Sequence, residues 1–157
     1  MRKLFLTFFY SGLAPFAPGT FGTLAGAVVA YFVLKYLGAE TLVLLSIFVF
    51  VAAINPINEY EKETGSHDSS HIVIDEVAGI WLTLSMCGFS LFGFILGVVY
   101  FRLFDIYKPS VIGRIDREVK GGLGVMGDDM LAGFFAGLGA LITLKVLIYF
   151  GAITPAV

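Results

Sequence analysis

The chain has little charge and almost no cysteine. Only 14% of its 157 residues are Asp, Glu, Lys or Arg, whereas soluble domains carry about a quarter. One cysteine, Cys87, excludes an internal disulfide and a multi-cysteine metal site, and its apolar neighbours predict a buried thiol. The low charge and a net charge of −2 also argue against a nucleic-acid partner.

Apolar side chains take the place of the missing charge. They make up 58% of the sequence, and the mean hydropathy is +0.91. So much apolar surface excludes a disordered chain and indicates a membrane as the solvent. The first residues resemble a signal peptide, but Pro15, Pro18 and the later apolar runs predict that this segment is retained. The length predicts one membrane-embedded domain over residues 1–157.

Three apolar runs predict membrane-spanning helices, at residues 21–36, 41–57 and 130–150. A span needs about 20 residues to cross about 30 Å of hydrocarbon. A fourth region, 72–104, contains an uncharged run of 25 residues and crosses either once or, with a turn near 87–90, twice. The sequence therefore predicts an all-α, polytopic membrane protein with about five short transmembrane or re-entrant helices and a polar cytoplasmic loop.

The distribution of basic residues favours two crossings of region 72–104, because cytoplasmic loops collect lysine and arginine. A single crossing would split eight basic residues five against three. Two crossings place all eight on one side and leave Lys35 and Lys145 near the other. The eight are Arg2, Lys3, Lys62, Arg102, Lys108, Arg114, Arg117 and Lys120.

Small residues at one-turn spacing predict close contacts between helices. They are Gly26, Ala27 and Ala30 in the first predicted span, and Gly133 and Gly137 in the last. Gly22 is assigned instead to a glycine-rich loop, residues 15–23, ahead of the first span.

Five acidic residues lie at predicted membrane edges. Asp75 and Glu76 open the third crossing, Asp105 follows the fourth, and Asp128 and Asp129 open the fifth. A carboxylate inside the membrane costs about 2.5 to 3.5 kcal/mol on insertion scales. The predicted topology puts all five at one membrane face, so their repulsion requires bound cations or basic neighbours. Oxygen ligands of this kind suit Mg²⁺ with a substrate phosphate.

Each acidic residue also has a structural interpretation. Asp75, Glu76, Asp128 and Asp129 stand near predicted helix starts, where the helix dipole favours negative charge. Asp105 follows an apolar helix, with Arg102 and Lys108 each three residues away, so a local ion pair is the alternative to a metal or phosphate site.

Two glycine-rich segments are candidate phosphate-binding loops. Lys120 is followed by Gly121 and Gly122, whose flexible backbone can point amide groups at a phosphate. The alternative is a linker, since the Walker A ending is missing. In segment 15–23, Thr20 and Thr23 offer hydroxyl groups, and the alternative there is a turn in which either threonine caps a helix.

Several known phosphatase motifs are missing. Gly93 stands where the Cys-x5-Arg loop after Cys87 would need arginine, and there is no Asp-x-Asp pair. The aspartates also do not match the motif of CDP-alcohol phosphotransferases. His67 and His71 lie in one short loop without a third ligand, which favours an exposed polar loop over a metal site.

Three sequence blocks resemble the phosphatidylglycerophosphatase A family of bacterial membrane lipid phosphatases. They lie at residues 12–26, at 72–79 and at 101–133. The last block is the most specific, with Phe-Arg-x2-Asp-x2-Lys-Pro followed by Asp116-Arg117, Gly-Gly-x-Gly-x-Met-x-Asp-Asp and Ala132-Gly133. The sequence departs from the family at Asp68, which is followed by Ser69 where the family often has proline.

The resemblance implies Mg²⁺-dependent hydrolysis of phosphatidylglycerophosphate to phosphatidylglycerol and phosphate, at the cytoplasmic face of a bacterial inner membrane. We expect Asp75, Asp105 and Asp129 to be catalytic, and all five acidic residues to share the metal binding. Attack by water and attack by an aspartate nucleophile are both open. The expected phosphate-binding residues are Arg102, Lys108, Arg117, Gly121, Gly122, Thr20 and Thr23.

An ion-coupled transporter or a non-catalytic lipid-binding protein is the alternative, since intramembrane acidic residues also mark proton and ion pathways. The clustering of the acids at one face and the small number of spans argue against a transporter.

Overall fold

The computed structural model describes residues 1–66 and 69–154, and all regular secondary structure in these ranges is helical. The all-α prediction is confirmed. In chain order the helices are α1 (Arg2–Leu6), α2 (Pro18–Tyr36), α3 (Ala39–Thr64), α4 (Ile74–Cys87), α5 (Leu91–Tyr107), α6 (Val111–Glu118) and α7 (Gly122–Tyr149), with a 3-10 turn at Ser11–Leu13.

Three helices, α2, α3 and α7, are long and apolar enough to cross a membrane. They cover the predicted spans except for Phe150, which follows the end of α7, and they extend beyond them: α3 continues through Pro56 to Thr64, and α7 begins at Gly122 rather than at residue 130. The other two bundle helices are shorter. At about 1.5 Å per residue, the 14 residues of α4 and the 17 of α5 fall below the length of a full span.

Helices α4 and α5 form the predicted hairpin. Gly88 ends α4 with a φ of 69°, a left-handed conformation that glycine adopts without strain. The Ser90 side chain then caps α5 by accepting a hydrogen bond from the Gly93 amide at 3.0 Å. The turn predicted near residues 87–90 is therefore confirmed, and Cys87 is buried beside it as expected.

Helix α4 is the centre of the bundle and packs against α2, α3, α5 and α7. Most of its apolar residues between Ile74 and Cys87 are buried, as are Thr83 and Asp75. Buried polar groups pair with neighbouring backbones: Trp81 Nε1 donates to the Gly26 carbonyl at 2.8 Å, and Thr83 Oγ1 donates to Gly133 O at 3.0 Å. These contacts fix α4 alongside α2 and α7.

Small residues permit the close approach of these helices. Ala27 and Ala30 are buried, and a Cβ on Gly26 would lie 3.1 Å from Ile80 Cγ2. The prediction of helix contacts at these positions is confirmed. The assignment of Gly22 to a loop is wrong: it lies within α2 and faces the Val73 side chain, because Pro18 at the first helical position starts the helix early.

The contacts define two ends of the bundle. The cavity end is where α2, α4 and α7 begin and where α3 and α5 finish; the hairpin end is where the α4–α5 turn lies. The Arg2 guanidinium holds α1 at the cavity end by pairing with Glu59 and Glu63 of α3.

Candidate functional site

A cavity of about 280 Å³ opens at the cavity end of the bundle. All five acidic residues singled out in the sequence line it, together with Lys108. The full lining is Pro18, Gly19, Ser70, Ile72, Asp75, Glu76, Asp105, Lys108, Asp128 and Asp129. The predicted convergence of the acidic residues at one end is therefore present in the fold.

Two glycines bring the acidic residues of α4 and α7 together. A Cβ on Gly79 would lie 2.6 Å from the Asp129 carbonyl oxygen, and Gly133 packs directly on the Gly79 carbonyl. Asp75 lies one helical turn before Gly79, and Asp129 one turn before Gly133. Close contact at the glycines therefore places the two carboxylates side by side.

Three carboxylates form a compact group. One oxygen each from Asp75, Glu76 and Asp129 lies within 4.8 Å of the others. Asp75 and Asp129 are buried, with exposed fractions of 6% and 4%. Among the described residues, the buried Oε2 of Glu76 has no hydrogen-bond partner. An unpaired carboxylate oxygen in such a cluster is expensive to bury, so the donor set suits a divalent cation.

The helix-start interpretation holds for α4 but is wrong for α7. Asp75 and Glu76 stand in the first turn of α4. Asp128 and Asp129 stand in the second turn of α7, because that helix begins at Gly122. The dipole effect is confined to the first turn, so it does not account for the second pair.

Arg102 is held by groups from two helices. Its Nη1 lies 2.5 Å from Asp105 Oδ2 and 3.1 Å from Thr23 Oγ1, and its Nη2 lies 3.2 Å from Thr20 Oγ1. Asp105 lies in the last turn of α5, not after the helix as predicted. The local ion pair, which the sequence left as the alternative, is present, and Asp105 still lines the cavity.

Thr20 and Thr23 were predicted to bind the phosphate, but they do not line the cavity. Both lie in the first turns of α2, where they accept hydrogen bonds from Arg102. Thr23 is fully buried and also donates to the Gly19 carbonyl at 2.8 Å. The two hydroxyl groups position the Arg102 guanidinium.

Lys108 forms a second cationic group at the cavity edge. Its Nζ lies 2.5 Å from Asp128 Oδ2 and 2.6 Å from Asp116 Oδ1. Burial lowers the pKa of Lys108, but the two carboxylates outweigh burial and raise it above its ordinary value. Burial acts to raise the pKa of Asp116, and the Lys108 hydrogen bond reverses this, so that pKa lies below its usual range. The two carboxylates therefore favour the charged form of Lys108.

The structure does not bring Gly121, Gly122 or Arg117 to the cavity lining. Gly121 precedes α7 with a φ of 75°, and the Gly122 amide donates to Asn58 Oδ1 at 2.7 Å. The predicted phosphate loop is thus a helix start packed tightly on α3. Arg117 is exposed on α6, where its charge acts on Asp116.

Sequence reasoning missed two residues of this site. Asp116 was noticed only as part of a family motif. It lies eight residues after Lys108, and this spacing brings the two side chains together because helix α6 folds back toward the lysine. Gly19 was noticed only as a turn residue, yet a Cβ there would collide with the Glu76 carboxylate. His71 is exposed, with Nδ1 3.1 Å from the Gly12 carbonyl, while His67 and Asp68 lie outside the described residues.

Comparison with known proteins gives a consistent result. The family model for phosphatidylglycerophosphatase A matches residues 4–144. The Escherichia coli protein named phosphatidylglycerophosphatase A is 36% identical over 126 residues, covering 80% of this chain and 73% of that protein. The Haemophilus influenzae protein of the same name is 34% identical over 129 residues, covering 82% and 79%.

A third relative carries a different name. The Bacteroides thetaiotaomicron protein named "Putative phosphatidylinositol-3-phosphatase" is 37% identical over 138 residues, covering 83% of this chain and 85% of that protein. No solved structure is similar to the chain at a significant level.

Proposed function

Since the chain belongs to the phosphatidylglycerophosphatase A family, we propose that it hydrolyses phosphatidylglycerophosphate to phosphatidylglycerol and inorganic phosphate. The observation that carries the proposal is the group of Asp75, Glu76 and Asp129 in a cavity that Lys108 also lines and that Arg102 adjoins through its ion pair with Asp105. Family membership also selects phosphatase activity over the transport and lipid-binding alternatives.

We propose Mg²⁺ as the cofactor, held by Asp75, Glu76 and Asp129. The unpartnered Glu76 oxygen and the all-carboxylate donor set fit such an ion. Asp105 and Asp128 line the same cavity but pair with Arg102 and Lys108, so they support the ion from a greater distance. When bound, Mg²⁺ supplies charge neutralisation at the phosphate and makes water easier to ionise.

The cationic side chains have a separate role in the proposed reaction. Lys108 lines the cavity and Arg102 lies beside it, fixed by Asp105 and the two threonines. Both offer N–H donors to phosphoryl oxygens, whose charge grows in the transition state. Groups that are already oriented by the fold need no reorganisation when the substrate arrives.

In the first route, water is the second reactant and attacks the phosphate ester directly. The water oxygen bonds to phosphorus, the phosphorus–oxygen bond to the glycerol breaks, and one water proton passes through a carboxylate to the leaving oxygen. Asp105, Asp129 and Asp75 are the candidate proton acceptors. In the second route, one of these aspartates attacks phosphorus and water then hydrolyses the phosphoaspartate, so trapping that adduct distinguishes the two routes.

We also propose a membrane orientation. Arg114, Arg117 and Lys120 follow α5 at the cavity end, and Lys62 stands at the end of α3 there. Basic residues collect on the cytoplasmic side. The cavity would then face the cytoplasm of a bacterial inner membrane, next to the headgroups of the lipid substrate.

Phosphate release in mixed micelles tests the proposal. The assay compares phosphatidylglycerophosphate with phosphatidylinositol 3-phosphate, each with Mg²⁺ and with excess chelator. We expect metal-dependent release from the first lipid, and at least a 100-fold loss in Asp129→Asn and in Asp105→Asn, with both variants folded.

Glu40→Gln is the matched control, since it removes a carboxylate at the hairpin end and should retain activity. Release from the inositol lipid alone would replace the proposed substrate. No release from a folded preparation with either lipid would refute the proposed activity, and near-normal turnover in both aspartate variants would refute the proposed site.

A further inference from the structure

The chain folds back on itself after α5. Lys108 and Ser110 have φ values of 41° and 52°, a left-handed backbone that non-glycine residues seldom adopt. Helix α6 then returns toward Lys108, and a Cβ on Gly113 would lie 2.5 Å from the Lys108 carbonyl oxygen. Such a turn persists only where surrounding contacts hold it.

The return of α6 places Asp116 against Lys108. The Lys108 ammonium lies 2.6 Å from Asp116 Oδ1 and 2.5 Å from Asp128 Oδ2. An ammonium has three N–H donors. Within residues 1–66 and 69–154 two of them are used by the carboxylates, which leaves one for a ligand in the cavity that Lys108 lines.

The two carboxylates sit in different surroundings. The Asp128 side chain is 4% exposed and projects from α7 into the cavity wall, whereas the Asp116 side chain is 33% exposed and belongs to α6. A lysine bound by Asp128 alone would keep the rotational freedom of its long side chain. The second ion pair, with the more exposed Asp116, fixes the ammonium between helices α6 and α7.

We propose that Asp116 is a positioning residue that holds Lys108 ready to bind the phosphate group of the substrate. The proposal rests on the proposed function for the identity of that phosphate. Asp116 itself does not line the cavity, so it acts through Lys108.

A double-mutant cycle tests this coupling. Lys108→Met should lower kcat about 100-fold, as loss of a transition-state donor does. Asp116→Asn should lower kcat about tenfold with a smaller change in KM, because the lysine remains but is poorly placed. In the Lys108→Met background, Asp116→Asn should cause no further loss. Asp116→Glu, which keeps the charge, should recover part of the activity.

Glu118→Gln is the matched control, because it removes a carboxylate from the same short helix two residues further on. It should leave kcat and KM within about twofold of the wild type. A second readout is independent of turnover: the increase in thermal stability that inorganic phosphate gives to the detergent-solubilised protein. This increase should be smaller in Asp116→Asn and should not fall further when that change is added to Lys108→Met.

If the losses of kcat in Lys108→Met and Asp116→Asn multiply in the double variant, the proposal is overturned. Wild-type kcat in Asp116→Asn would also overturn it. If Asp116→Asn does not fold, Asp116→Glu takes its place, and its loss must vanish in the Lys108→Met background. An inactive wild type would refute the proposed function alone, since the phosphate-stabilisation cycle would still decide the role of Asp116.

Discussion

The two ends of the bundle each contain a cavity, and the cavities differ in chemistry. At the hairpin end a cavity of about 440 Å³ is lined by Tyr31, Gly88, Phe89, Ser90, Leu91 and Phe94. At the cavity end a smaller space, about 280 Å³, is lined by five carboxylates and a lysine. Size alone would not select the cavity that we propose as the active site.

The two ends also differ in the free-energy cost of the side chains that they bury. Aromatic side chains at the hairpin end contact one another, with the Tyr31 and Phe89 rings 5.4 Å apart, as expected of apolar surface. Buried carboxylates destabilise the fold unless they are paired or bound. Asp75, Asp128 and Asp129 are buried at the cavity end, where Asp128 pairs with Lys108 and where we propose the active site.

The largest expected effect on kcat comes from comparing one substitution in each cavity. Asp75→Asn keeps an oxygen for the hydrogen bond from the Glu76 amide, now 3.0 Å, but removes the charge. We expect kcat to fall at least 100-fold. Tyr31→Phe removes one polar group from the other cavity and should change kcat by about twofold or less. Equal effects in the two variants, measured by phosphate release, would contradict the assignment.

Glu76→Gln should raise stability while lowering turnover. The Glu76 Oε2 atom is buried and has no hydrogen-bond partner in the described part of the chain, and an unsatisfied buried group costs about 1–3 kcal/mol, more if charged. Thermal unfolding in detergent with chelator measures the gain. Excess Mg²⁺ should stabilise the wild type and not the variant. Destabilisation of the variant in chelator would show that the carboxylate has a structural partner.

Gly133→Ala should damage the site through packing. The added methyl would press on the Gly79 backbone, and overpacking of this kind costs about 1–3 kcal/mol. Gly127→Ala on the same helix is the control, since the one described atom within 4 Å of its Cβ would be Ile115 Cγ2 at 3.6 Å. We expect lower unfolding temperature and lower activity in the first variant alone. A tolerated Gly133→Ala would mean that α4 and α7 need not approach so closely.

The smallest expected effect concerns the support of Arg102. Thr20→Ala removes a hydrogen bond to Arg102 Nη2 at 3.2 Å. A bond worth about 1 kcal/mol corresponds to about a fivefold fall in kcat. Thr41→Ala is the control, because the Thr41 hydroxyl donates at 2.9 Å to the Leu37 carbonyl at the hairpin end. A KM effect without a kcat effect in Thr20→Ala would instead indicate direct substrate contact.

Composition and local pattern predicted much of this protein. Low charge and long apolar runs predicted an all-helical membrane protein, and the distribution of basic residues predicted the hairpin turn near residues 87–90. The five acidic residues were identified because a carboxylate near a membrane needs a partner. The Gly-Gly-x-Gly segment was misread as a loop, because glycine propensity disfavours a helix that only tertiary packing stabilises.

The sequence by itself determined the solvent, the helical class and the set of acidic residues, since each depends on side-chain chemistry and local spacing. Only the tertiary structure decided which partner each charge takes. Asp105 pairs with Arg102 within α5, whereas Lys108 pairs with Asp116 and Asp128 across two helices. Those pairings depend on the distance between helices, and backbone contact at Gly79 and Gly133 sets that distance between α4 and α7.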